Sequence, residues 1–102
     1  MAQKLTAAEI DDCLKSLTNW TYDPQENCIK RTLKFNDFAD ALGFMVTMGV
    51  HAQAKDHHPE WTNVYNTVIV KWSTHTCHGV SLLDVEMARK CDCVYLKYAP
   101  LP

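Results

Sequence analysis

Two of this chain's histidines sit in Lys55-Asp56-His57-His58-Pro59-Glu60-Trp61, and a third follows one hairpin later in Ser73-Thr74-His75. Imidazole is the side chain best suited to move a proton in either direction near neutral pH, so such rings suit acid-base chemistry without a covalent intermediate. Proline disfavours the helical conformation in the residue before it, which predicts that a helix running up to Asp56 stops near His57 and leaves His58 extended. His57 would then lie beside the carbonyl end of the helix macrodipole, which favours a protonated ring. The alternative is that the histidines are separate surface groups, each hydrogen-bonded on its own.

Other chemistries fit the residues less well. His57, His58, His75, Cys77 and His78 could in principle ligate zinc, but adjacent His-His and His-x-Cys-His do not match common structural zinc spacings. No metal is therefore expected. Cys91 and Cys93 lie at i and i+2 on an expected helix, where side chains diverge. No serine or cysteine stands in a nucleophile elbow, and the glycines form no phosphate-cradling loop. Asp84 ends a Ser81-Leu82-Leu83-Asp84 capping box, which by itself would explain its presence.

The elements that must position these groups are legible from periodicity and caps. Thr6-Ala7-Ala8-Glu9 is a capping box before Ile10, Cys13, Leu14 and Leu17, predicting a first helix over about 7–17. Asp23-Pro24-Gln25-Glu26-Asn27 reads as a turn, followed by a strand with Ile29, Leu33 and Phe35 on one face and Arg31 as the exception there. Asn36 is the expected cap of a second helix reaching about Lys55, whose stripe of Phe38, Leu42, Met45 and Met48 reads as core. Val64, Asn66, Val68, Val70 and Trp72 share one parity in a second hairpin, turning near 65–67. Ser81 then opens a third helix through Val85, Ala88 and Tyr95, ended by Pro100 and Pro102.

This order, α-β-β-α-β-β-α, predicts an α+β fold with three helices packed on one face of a four-stranded antiparallel sheet. Residues 1–102 are expected to form a single domain. An open sheet edge would make it a candidate for pairing with a second copy of itself. A formal net charge of −2 gives no basic footprint for nucleic acid. No apolar run approaches the roughly 20 residues that span a bilayer. The five cysteines, an odd number without paired C-x-x-C spacing, suit reduced thiols in the cytoplasm.

With these residues in view, the sequence resembles the pterin-4a-carbinolamine dehydratase family, whose animal members also act as a dimerisation cofactor of a homeodomain transcription factor. The resemblance rests on Asp56-His57-His58-Pro59-Glu60-Trp61, Asn63-Val64-Tyr65-Asn66, Ser73-Thr74-His75 and the position of Asp84. Upstream it takes in Trp20, Phe35-Asn36-Asp37-Phe38 and Leu42-Gly43-Phe44-Met45. It implies a lyase that dehydrates 4a-hydroxytetrahydropterin to quinonoid dihydropterin in tetrahydrobiopterin recycling, with no cofactor beyond the pterin substrate.

The resemblance further implies that His57 and His75 transfer the protons, that His58 orients the substrate, and that Asp84 is the site's acidic partner. Asp56, His57, His58, Ser73, Thr74, His75 and Thr76 are implied to contact the pterin. A homodimer or homotetramer is implied, with an aromatic amino acid hydroxylase as pathway partner and the nucleus as a second location beside the cytoplasm. The sequence departs from the family at Gln53, where many relatives carry an acid; a missing carboxylate there implies lower basicity at His57. Its tail from Cys91 onward is unlike that of the animal members. The rival expectation is a non-catalytic interaction module that bridges a helical partner.

Overall fold

The computed structural model describes residues 2–102. Thr6 caps α1 (Ala7–Leu14) reciprocally with Glu9, as the capping box requires. The helix stops before 17 because Lys15, Ser16 and Leu17 bond to carbonyls three residues back, tightening the last turn. Two short strands, β1 (Thr21–Asp23) and β2 (Cys28–Lys34), form the first hairpin. Helix α2 (Phe38–Ala54) follows, then β3 (Glu60–Val64), β4 (Thr67–Trp72), a 3-10 turn at His75–Cys77 and α3 (Leu82–Tyr95).

All pairings in the sheet are antiparallel, in the order β1-β2-β4-β3, which leaves β1 and β3 as edges. The expected α-β-β-α-β-β-α order and α+β class are the ones found. Ile29, Leu33, Val68, Val70 and Trp72 point from the two central strands into one core with Phe44, Met48, Ala88 and Cys91 from the helices. Removing a side chain as large as Phe44 from such a core costs about 3–5 kcal/mol.

Three local expectations are corrected. Asp37, not Asn36, caps α2, its carboxylate accepting the Asp40 N–H at 2.8 Å. The face of α2 that meets the sheet is Ala41, Phe44, Met48 and Ala52, while Phe38 and Leu42 stand exposed with Val46 and Val50. The helix is apolar on two faces, so periodicity alone did not separate the packed stripe from the outer one. Val64 likewise faces away from the core. The turn at Tyr65-Asn66 resets the parity, so that Asn63 and Trp61 lie opposite Val68 and Val70.

Arg31 occupies the core face because it has a partner there. Its guanidinium sits 2.6 Å from Asp92 Oδ1 and 4.9 Å from the centre of the Tyr95 ring. The same Asp92 oxygen accepts the Trp20 indole N–H at 2.9 Å, tying the first hairpin to the last helix.

All five cysteines are free thiols. Burial pushes the Cys91 thiol up to about 12, with the neighbouring Asp92 charge adding to it. Burial pushes Cys28 up to about 11, helped by Glu26. Because the thiolate is the nucleophile, both should resist alkylation in the folded protein at mildly alkaline pH, while the exposed Cys93 reacts first. Mass spectrometry of peptides after a timed iodoacetamide pulse should show that order; early labelling of Cys91 would contradict it.

Candidate active site

The turn after α2 decides where the adjacent histidines go. Lys55 caps the helix and Asp56 takes the left-handed conformation at φ 50°. The Asp56 N–H bonds to the Gln53 carbonyl and the His57 N–H to the Ala52 carbonyl, both at 3.1 Å, which together make a Schellman motif. The helix thus ends at Ala54, before the point expected from Pro59, and the chain reverses into the molecule at His57.

His57 is set deep, with 11% of its side chain exposed, and its ring stacks on Trp72 at 5.7 Å and 14°. Its Nε2 lies 2.6 Å from Oδ1 of Asp84, a residue with no solvent exposure. Asp84 does perform the capping expected of it, since its Oδ2 accepts the Ser81 backbone N–H at 2.8 Å. That oxygen also accepts the Thr74 hydroxyl at 2.7 Å, and the Thr74 and Ser81 hydroxyl oxygens are 2.7 Å apart. A carboxyl group buried this deeply needs all its partners inside the protein, and here it has them.

On the other side of Thr74 lies an open hollow of about 570 Å³, within the usual size of small-ligand sites. His58, Pro59, Glu60, Ser73, Thr74 and His75 line it. The return of β4 therefore brings His75 to the same hollow as His58. His58 donates through Nε2 to the Gln53 carboxamide oxygen at 2.8 Å. Gln53 thus serves His58 rather than His57, and the sequence-based inference that it governs His57 is corrected by that geometry. Asp56 and Thr76 are exposed, one at the helix cap and one in the 3-10 turn, and do not line the hollow; nor does His57, which is recessed and reaches it only through Asp84 and Thr74.

Glu26 and Asn27 from the first hairpin turn, with His78 and Gly79, also line the hollow. Sequence reasoning missed these as site residues. The register pairs Asp23 with Cys28 and Ile29 with Trp72, which carries that turn to the end of β4; no local motif announces this. The turn is held firmly. The Asp23 carboxyl is kept below its ordinary range by the Glu26 backbone N–H and then by the Lys30 ammonium. Glu26 in turn bonds Lys71 at 2.6 Å and raises that ammonium. No group of three or more His, Cys, Asp or Glu able to hold a metal occurs among the described residues.

A hollow lined by His58, His75 and His78, linked through Thr74 to a buried His57–Asp84 couple, gathers groups of the kind that acid-base chemistry uses on an α+β scaffold. The family model for pterin 4 alpha carbinolamine dehydratase matches residues 3–94, and the chain belongs to that family. A Bradyrhizobium protein is 44% identical over 94 residues, covering 92% of this chain and 95% of its own. One from Burkholderia cenocepacia is 46% identical over 92 residues, covering 90% of each. Both carry the name "Putative pterin-4-alpha-carbinolamine dehydratase". The crystal structure of a transcriptional coactivator/pterin dehydratase from Brucella melitensis superposes with a TM-score of 0.88 at 41% identity. That match covers 91% of this chain and 99% of the other.

The left-handed cap gives a direct check on how the histidine is aimed. Asp56→Gly should leave stability unchanged or raise it slightly, whereas Asp56→Val should cost about 1–2 kcal/mol, because a β-branched side chain resists positive φ. Urea denaturation midpoints at constant slope will measure the difference. Equal effects of the two substitutions would contradict the cap geometry.

Proposed function

We propose that the chain, as one unit of residues 1–102, is a lyase that dehydrates 4a-hydroxytetrahydropterin to the quinonoid dihydropterin. The observation that carries this is the His57–Asp84 couple at 2.6 Å, joined through Thr74 to a hollow whose wall includes His58 and His75. Loss of the 4a-hydroxyl as water breaks the C4a–O bond. An acid must protonate the departing oxygen while a base removes the proton on N5, leaving a C4a=N5 double bond. Two imidazoles of complementary protonation can do both, with no change of oxidation state.

In this reading His57 and His75 exchange the protons, His58 orients the ring system, and Asp84 orients His57. Ser73 and Thr74, on the hollow's wall, complete the set proposed to meet the pterin, Thr74 through its backbone because its hydroxyl is given to Asp84; Asp56 and Thr76 lie off that wall and leave the set. Chemically the step needs neither a metal nor a cofactor beyond the pterin. Membership of the pterin 4 alpha carbinolamine dehydratase family supports the substrate class. Free thiols at all five cysteines suit a reducing cytoplasm.

His57→Ala and His75→Ala should each lower the dehydration rate by about 10²-fold or more while leaving the circular dichroism spectrum intact. The double variant should be slower than either. Chelators should leave the rate unchanged. Full activity in the double variant, or activity lost on metal removal and restored by zinc, would overturn the assignment.

A second observation bears on assembly. Phe38, Leu42, Val46 and Val50 form an exposed apolar stripe along α2, and the edge strand β3 ends in exposed Val64, followed by exposed Tyr65 in the turn. Such surfaces support a homodimer or homotetramer, and they also support the alternative in which the fold serves as an interaction module for a helical partner. Val46→Glu should lower the mass measured by analytical ultracentrifugation while dehydration persists. A monomeric parent protein would refute self-association through this stripe.

A further inference from the structure

The hydrogen-bond partners of Asp84 decide more than its own burial. Oδ2 receives the Thr74 hydroxyl at 2.7 Å and the Ser81 backbone N–H at 2.8 Å. A serine or threonine hydroxyl has a single proton to give. Thr74 gives its proton to Asp84, so the short 2.7 Å contact between the two hydroxyl oxygens is completed by the proton of Ser81. Ser81 itself is 3.5 Å from Oδ2, too long to compete with that bond. The donors therefore run one way: Ser81 to Thr74, and Thr74 to the carboxylate. All three side chains are buried, Asp84 completely, so no water-facing rotamer offers an easy alternative.

With Oδ2 filled, Oδ1 is left to His57 Nε2 at 2.6 Å. A carboxylate accepts only, so Nε2 must be the nitrogen that donates, and a neutral ring then keeps its lone pair on Nδ1. Stacking on Trp72 sets the plane of the ring, and a half-turn within that plane would put the carbon Cε1 in place of Nε2 and cost Asp84 its 2.6 Å partner.

We propose that Thr74 and Ser81 are positioning residues for proton transfer. Their hydroxyls lock Asp84 so that it holds His57 as the Nε2–H tautomer, making Nδ1 the nitrogen that gives and takes the proton. Thr74 thereby acts through its hydroxyl on the carboxylate behind the wall rather than on the substrate. The rate consequences rest on the dehydratase reading; the tautomer does not.

The test has two arms. Long-range proton-nitrogen correlation spectra of the ligand-free protein, at a pH where His57 is neutral, should show the Nε2–H tautomer. An Nδ1–H tautomer would overturn the proposal. In Thr74→Val, which keeps the shape and removes the hydroxyl, kcat should fall roughly tenfold with KM little changed, and the Nε2–H proton resonance should move. Thr74→Ser should restore both. A rise in KM with kcat intact would place the hydroxyl on the substrate and overturn the positioning role, as would an unchanged kcat or a Thr74→Ser variant no better than Thr74→Val.

Should Thr74→Val fail to fold, Ser81→Ala replaces it, since the Ser81 backbone N–H to Asp84 survives that change. It should lower kcat and shift the same resonance by less; no movement in either would again overturn the lock. A wild-type protein inert toward every 4a-hydroxypterin would remove the proposed activity, and the spectra alone would then decide the tautomer.

Discussion

The constraint on which the rest of the structure depends is a carboxyl group removed entirely from water. Asp84 has no exposure, and an unpartnered buried carboxylate would cost several kcal/mol. Its partners come from three places in the chain: His57 beyond the second helix, Thr74 beyond the last strand, and Ser81 at the start of its own helix α3. Satisfying one residue therefore fixes how α2, β4 and α3 meet. The same satisfaction aims the imidazole. One oxygen closes the N-terminus of a helix while the other holds an imidazole, and neither task interferes with the other.

A second long-range tie serves the remainder of the fold. Asp92 gathers Trp20 and Arg31, and Arg31 lies over Tyr95, which itself packs edge-on against Phe35. The two aspartates of α3, eight positions apart, thus hold opposite ends of that helix to the sheet. This division lets the site end carry polar groups and an open hollow while the other end packs as an aromatic cluster.

How much of this could be read from the chain depends on whether the governing interaction is local. The capping boxes at Thr6 and Ser81, the order of elements and the turn at Tyr65-Asn66 are set by residues within four positions of one another, and these were legible. The packed face of α2 was not, because Phe38, Leu42, Val46 and Val50 are as apolar as Ala41, Phe44, Met48 and Ala52, and only the sheet chooses between them. Asn36 and Asp37 are both good caps; the backbone chose the second. At the site, the histidine-bearing segments were visible as motifs. The left-handed turn at Asp56 that separates the paths of His57 and His58 was not, nor was the contribution of Glu26 and Asn27 to the hollow, which only strand register brings near.

That dependence on register gives unexpected weight to a residue at the far end of the sheet. Asn66 holds Phe35 from both sides: its carbonyl accepts the Phe35 N–H at 2.9 Å, and its side-chain amide donates to the Phe35 carbonyl at 3.0 Å. The clasp indexes β4 against β2 before either reaches the site. A slip of one residue there would turn Trp72 outward and swing Thr74 away from Asp84, since alternate side chains face opposite sides of a strand. Asn66 works as the zero mark of a ruler whose other end reads out where the imidazoles stand.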